Sequence, residues 1–197
     1  QLTLSDKRPV AILDFGTNTT RLLISDGDAI DVRDHRITGI GRGLGRTGRL
    51  NEGGIEKVLD AVTDFNSLIE ENGVKEIRAV ATSAARDASN RDDLFKPVSK
   101  ILSHEVELLS GEEEARYGFL GATRGLASGD GPFLVLDIGG GSTEFSYGTD
   151  SPEMYRSVDI GSVRFTEQFL ISDPPKPEEL SGAIQVARLH LDDIDRE

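Results

Sequence analysis

The sequence predicts an α/β protein built on a duplicated hairpin unit. Short apolar runs alternate with segments of helical period along its 197 residues. Two hairpins also match without gaps: ILDFGTNTTRLL from Ile12 and VLDIGGGSTEFS from Val135. The match pairs Leu13 with Leu136, Asp14 with Asp137, Gly16 with Gly139 and Thr20 with Thr143. Each opens a ββ-then-helix segment, and such a repeat implies two pseudo-symmetric lobes facing a cleft. The 22 glycines, about 11% of residues against a typical ~7%, are clustered, partly at these turns.

The elements follow in order. Val10 to Leu13 is a continuous apolar run and reads as a buried strand. Gly16 to Thr19 is turn chemistry, and Leu22 to Ile24 is the return strand. A third strand is expected near Ala29 to Arg36, and Thr38 to Arg49 reads as a Gly/Arg loop. Ile55, Val58, Leu59, Val62, Phe65, Leu68 and Ile69 keep helical spacing, with Gly73 at the position after the C-cap. Glu76 to Thr82 is a strand, Ser83 to Ala88 a short helix, Asp92 to Leu102 a helix containing Pro97, and Val106 to Leu109 a strand. Ser110-Gly111-Glu112-Glu113 matches the S-x-x-E capping box, so a helix should run from Glu112 to about Thr123. Gly125 to Pro132 is a polar connector, which places the expected boundary between a first lobe, 1–126, and the start of a second, 127–197. Phe133 to Leu136, Glu144 to Tyr147 and Tyr155 to Asp159 are strands. Ser162 to Leu170 and Glu178 to Ile194 are helices.

Composition narrows the function. With 22 basic and 35 acidic residues the net charge is −13, which disfavours generic nucleic-acid or anionic-membrane binding. The absence of cysteine excludes disulfide scaffolds, thiolate zinc sites and cysteine nucleophiles, and fits a reducing cytoplasm. His35, His104 and His190 are too scattered to suggest a metal cluster. No apolar run approaches the ~18 residues of a membrane span, and the polar stretch from Gln1 to Pro9 lacks a signal peptide's apolar region.

Both hairpin tips suit phosphate. Glycines let successive N–H groups converge on an anion, and Thr17, Asn18, Thr19, Ser142 and Thr143 add side-chain donors. Asp14 and Asp137 would repel phosphate directly but can carry a divalent cation, and Glu144, across the turn from Asp137, can return to the same ion. No Gly-Lys-Ser/Thr follows, so this is no Walker loop; a strand rather than a helix follows the glycines, so it is no Rossmann fingerprint. Glu112, Glu113 and Glu114 crowd one helix start. Ser110 and Glu113 have a capping job, and Glu114 is either a partner of the helix dipole or a general base toward water. Arg86, after Thr82-Ser83-Ala84-Ala85, suits bidentate phosphate contact. Arg21 is an anion-contact candidate with an ordinary salt bridge as its alternative. Arg42, Arg46 and Arg49 read as a solvated loop or a local basic patch.

The words AILDFGTNTTRLLI, AVATSAARDASN, LLSGEEEARYGFLGA, LVLDIGGGSTEF and SVDIGSVRFTEQF resemble the exopolyphosphatase and guanosine pentaphosphate phosphohydrolase (Ppx/GppA) family of the actin-like ATPase and sugar-kinase superfamily. The resemblance runs from Val10 to Phe169. It implies a duplicated ribonuclease-H-like (actin-like) fold, with mixed sheets flanked by helices and two lobes around a cleft, the second lobe incomplete here. It implies a hydrolase releasing terminal orthophosphate from inorganic polyphosphate, or converting guanosine pentaphosphate to the tetraphosphate. It makes Glu114 the residue that positions water. Asp137, Glu144 and nearby Asp14 become the Mg2+ carboxylates. Gly16, Thr17, Asn18, Thr19, Arg21, Arg86, Gly139, Gly140, Gly141, Ser142 and Thr143 become the phosphate cradle. No nucleic-acid or membrane partner is expected, and a homodimer is left open. A non-catalytic polyphosphate or guanosine-polyphosphate sensor is the second reading. A kinase of the superfamily is disfavoured by the word ATSAARDA. The chain departs from the family in Thr17 and Thr19, where serine is usual, and in the basic character of residues 42–49.

Overall fold

The computed structural model describes residues 8–27 and 30–194. The chain divides into two compact units, Gln1–Leu108 and Leu109–Glu197. This division does not coincide with the expected boundary at 126/127. The helix Gly111–Thr123, expected to close the first lobe, packs on the strands of the second unit. It buries Ala115 and Phe119 there, and the Ser146 hydroxyl donates to the Ala115 carbonyl at 3.4 Å.

The first unit holds β1 (Val10–Phe15), β2 (Thr19–Ser25), β3 (Ile30–Ile37), α1 (Leu44–Thr47), α2 (Glu52–Glu71), β4 (Glu76–Ala81), α3 (Ser83–Asp87), α4 (Asp92–Leu102) and β5 (Val106–Leu108). Its mixed sheet has the order β3-β2-β1-β4-β5. β1 is antiparallel to β2 and parallel to β4, which is parallel to β5. Parallel neighbours need long crossovers, and α2, α3 and α4 lie in them. Alternation along β1 turns Ala11, Leu13 and Phe15 inward, all three fully buried. Val58, Val62 and Phe65 of α2 and Leu94 and Val98 of α4 join them in one core. Each large side chain there contributes about 1.5–3 kcal/mol.

The expected third strand began near Ala29, which lies outside the described residues, as does the stretch 1–7. The Gly/Arg loop contains the short α1, because Leu44 has an apolar contact to make and is buried. Helix α2 starts on Asn51, whose side chain accepts from Gly54 N at 2.9 Å. It ends as the position of Gly73 predicts. Gly73, at φ +64°, donates to Glu70 O and Val74 donates to Ile69 O, a Schellman closure with Val74 and Ile69 both buried. Pro97 lies inside α4 without ending it.

The second unit holds α5 (Gly111–Thr123), β6 (Phe133–Ile138), β7 (Thr143–Gly148), β8 (Pro152–Val158), α6 (Ser162–Phe169) and α7 (Pro177–Ile194). Its sheet is antiparallel in the order β6-β7-β8. Alternation puts Asp137, Glu144, Ser146 and Ser157 on one face, beneath α5. The other face carries Leu134, Leu136, Ile138, Tyr147 and Met154, all exposed. No described helix is long and apolar enough to cross a membrane.

Candidate active site

The two matched hairpins fold to the same tip. In the first unit Gly16 N donates to Thr19 O at 3.0 Å; in the second Gly139 N donates to Ser142 O at 2.9 Å. A Cβ on either glycine would stand 3.0 Å from that carbonyl oxygen, so the turn admits nothing larger without a shift. The segment after the third strand then clamps each tip. Thr38 N and Gly39 N donate to Asn18 O, and Gly41 N to Thr17 O. In the second unit Ser162 N donates to Gly139 O, Val163 N and Arg164 N to Gly140 O, and Arg164 Nε to Gly141 O. The paired threonines share a job too. The Thr20 and Thr38 hydroxyls are 3.1 Å apart, and the Thr143 hydroxyl donates to Ile160 O.

These bonds occupy the tip carbonyls. The N–H groups of Thr17, Asn18, Gly140 and Gly141 donate to no acceptor among the described residues. Carbonyls taken up by the clamps and amides left without acceptors suit the binding of an anion. Thr17, Ser142 and Thr143 are buried, and Asn18 and Thr19 are half-buried. Thr143 is engaged in the clamp, so the donors that remain at the second tip are chiefly backbone.

Asp137 and Glu144 are directly opposed across β6 and β7. Glu144 is 2% exposed, and its Oε1 accepts from the Ser157 hydroxyl at 2.7 Å. Helix α5 crosses this face on glycines. A Cβ on Gly111 would lie 3.0 Å from Ser157 Cβ, and one on Gly118 would lie 3.8 Å from Asp137 Oδ2. Glu114, three residues after Gly111 and four before Gly118, shares their helix face and is half-buried. Its neighbours are otherwise engaged. Glu113 closes the capping box, accepting from Ser110 N at 2.9 Å while its own N–H donates to Ser110 Oγ. Glu112 accepts from the phenol of Tyr155 on β8, a bond that, aided by burial, pushes the Tyr155 pKa up. Glu112 thus reaches the sheet through Tyr155, Glu113 caps the helix, and Glu114 lies on the helix face that carries Gly111 and Gly118.

The remaining candidates lie in the first unit. Asp14 and Arg21 are opposed on β1 and β2 and form an ion pair at 3.2 Å, the alternative foreseen for Arg21. Arg86 is half-buried in α3, after the buried Ser83, Ala84 and Ala85. Among the described residues no group of three or more acidic or histidine side chains is placed to hold a metal. Asp137 and Glu144 stand opposite each other as a pair of carboxylates that could hold a divalent cation. Sequence reasoning missed Ser157, Gly111, Gly118, Gly41 and Gly161. Ser157 and Gly161 lie in the word SVDIGSVRF, but nothing in it announces that one holds Glu144 and the other underlies a turn.

The fold and these paired tips define a duplicated ribonuclease-H-like protein of the actin-like kind. More specifically, residues 25–197 match the model of the Ppx/GppA phosphatase family, and the chain belongs to that family. It is 41% identical over 196 residues to exopolyphosphatase 2 of Mycobacterium tuberculosis, covering 93% of this chain and 61% of that one. Exopolyphosphatase 1 of the same organism is 35% identical over 172 residues, covering 84% and 50%. The crystal structure of an exopolyphosphatase-like protein superposes with a TM-score of 0.91 at 37% identity, covering 95% of this chain and 62% of that one. The Aquifex aeolicus member of the Ppx/GppA family superposes at 0.74 and 33% identity, covering 95% and 62%. The ethanolamine utilization protein EutJ of Carboxydothermus hydrogenoformans, at 14% identity and a TM-score of 0.52, shares the fold alone. The chain spans about three-fifths of the length of exopolyphosphatase 2.

Proposed function

We propose that this chain carries the phosphate-binding and water-positioning parts of an exopolyphosphatase, which releases orthophosphate from the end of inorganic polyphosphate. The observation that supports the reading is the opposed pair Asp137 and Glu144 beneath α5, the helix that carries Glu114 on the same face as Gly111 and Gly118. The names of the M. tuberculosis relatives support polyphosphate as the substrate.

The chain's own groups divide the work. The amides of Thr17 and Asn18, and of Gly140 and Gly141, bind phosphate oxygens without a charged side chain. Arg86 adds a planar two-pronged donor. Arg21 supplies a further cation, oriented by Asp14. Glu114 accepts a proton from water and aims its oxygen at the terminal phosphorus, while the bond to the bridging oxygen breaks. Asp137 and Glu144 would hold a magnesium ion, Glu144 kept in place by Ser157; that ion supplies neutralisation of phosphate charge.

The test is phosphate release by the intact protein from polyphosphate and from guanosine pentaphosphate at equal concentration of phosphate ends. Faster release from polyphosphate is expected. Faster release from the nucleotide would move the substrate to guanosine pentaphosphate, and retention of either without release would make the protein a sensor.

A further inference from the structure

We propose that Arg42 and Arg46 form a second phosphate subsite, which holds a more distant phosphate of a linear polyphosphate while the first hairpin tip holds another. This rests on the reading of the protein as a polyphosphate hydrolase and extends it to chain length.

The segment from Thr38 to Leu50 has three arginines and no acidic residue, in a chain of net charge −13. It is not a loose solvated loop. Its start is bonded to the hairpin tip through Thr38, Gly39 and Gly41. Gly41 packs so closely on Thr17 that a Cβ there would overlap the threonine methyl. Its end is held from another direction. Asn90 Oδ1 accepts from Leu50 N at 2.7 Å, and Ser89 donates to Gly48 O through both its N–H and its hydroxyl, each at 2.9 Å. Asn51 N also donates to Ile40 O at 2.8 Å.

Arg42 N donates to Gly39 O, closing a turn in which Gly39 has φ +66°. The Arg42 side chain folds back over that glycine: a Cβ on Gly39 would lie 2.9 Å from Arg42 Nε. Gly39 is itself bonded to Asn18 O. The Arg42 Nε is therefore held one residue's contact from the tip whose amides lack acceptors. Arg46, four residues on, is exposed and lies along Gly43, a Cβ on which would be 3.7 Å from Arg46 Nη2.

Among the described arginines, Arg21 pairs with Asp14, Arg36 with Asp34, Arg49 with Asp93, Arg78 with Glu107 and Arg164 with Asp159. Arg42 and Arg46 have no ion-pair partner among the described residues. Two like charges on a pinned backbone, with no acid beside them, are relieved by a bound anion, and the guanidinium fork matches phosphate. A short polyphosphate satisfies the hairpin tip; only a longer one continues to Arg42 and Arg46.

The experiment is calorimetric titration of the intact protein, and of an Arg42→Gln/Arg46→Gln double variant, with tripolyphosphate and with long-chain polyphosphate over a range of salt. Wild-type protein should bind the long chain more tightly. The variant should keep its tripolyphosphate affinity and lose about tenfold on the long chain, with a shallower salt dependence. An Arg42→Lys/Arg46→Lys variant should recover part of that loss, and unchanged thermal midpoints should accompany all three proteins. A double variant that binds the long chain as wild type does, or loses both ligands equally, overturns this inference and leaves the hydrolase reading standing. Wild-type protein that binds neither ligand overturns the hydrolase reading and this inference with it.

Discussion

Three adjacent glutamates begin α5: Glu112 meets Tyr155 and Glu113 meets Ser110, and Glu114 is the one we propose as the base. Glu114→Gln keeps size and hydrogen bonding but removes the base. It should leave polyphosphate binding intact and lower turnover of the intact protein by about 10²–10⁴-fold, the usual worth of general base catalysis. Steady-state phosphate release with a parallel binding titration checks it. Asp137→Ala should weaken the magnesium dependence of that release, read as a shift of the magnesium titration midpoint to higher concentration. Tyr155 gives a test independent of activity. Its folded pKa lies above the ordinary value of 10.0. The contribution of its bond to Glu112 is thus fully present below that value and lost as pH rises through the raised pKa. In an ultraviolet titration, Glu112→Gln should move the ionisation of the Tyr155 phenol to lower pH.

At the scale of elements, the repeated device is a hairpin tip with a clamp. Gly16 and Gly139 make the same turn, and the segments that follow β3 and β8 take up the tip carbonyls. Gly161 is the tightest point of the second clamp, where a Cβ would overlap the Gly140 carbonyl. Gly161→Ala should therefore force the clamp off the tip, costing about 1–3 kcal/mol of stability as overpacking does. Urea unfolding should show that loss, and phosphate binding should weaken with it. Helix α5 offers a control away from the tips: Ser110→Ala removes one half of the capping box and should cost ~1 kcal/mol in the same measurement. The pairing of the two hairpins was legible in the sequence because each position there has a fixed partner in its match. The clamps were not, because Thr38 and Ile160 reach the tips from 18 and 17 residues away from Thr20 and Thr143 respectively.

At the scale of the whole molecule, the two units use the repeated strand differently. Ala11, Leu13 and Phe15 of β1 are fully buried beneath helices. The equivalent residues of β6, Leu134, Leu136 and Ile138, are 61%, 50% and 70% exposed. The first unit has a closed apolar core, whereas the described apolar residues buried in the second are Leu109, Ala115 and Phe119. The first unit thus carries its own apolar core, and the second leaves one face of its sheet exposed. A fragment of residues 1–108 should unfold cooperatively in urea. Residues 109–197 alone should bind a hydrophobic dye and lack a cooperative transition, since an exposed apolar sheet face is a binding or aggregation surface. By itself the sequence determined the strands, the helices, the capping box and the matched hairpins, because these rest on local periodicity, turn chemistry and short-range pairing. Only the tertiary structure decided that α5 belongs with the second sheet, that Ser157 holds Glu144 opposite Asp137, and that the segment bearing Arg42 is pinned to a hairpin tip. Each of those outcomes depends on which surfaces pack together, and packing joins residues whose separation along the chain carries no signal.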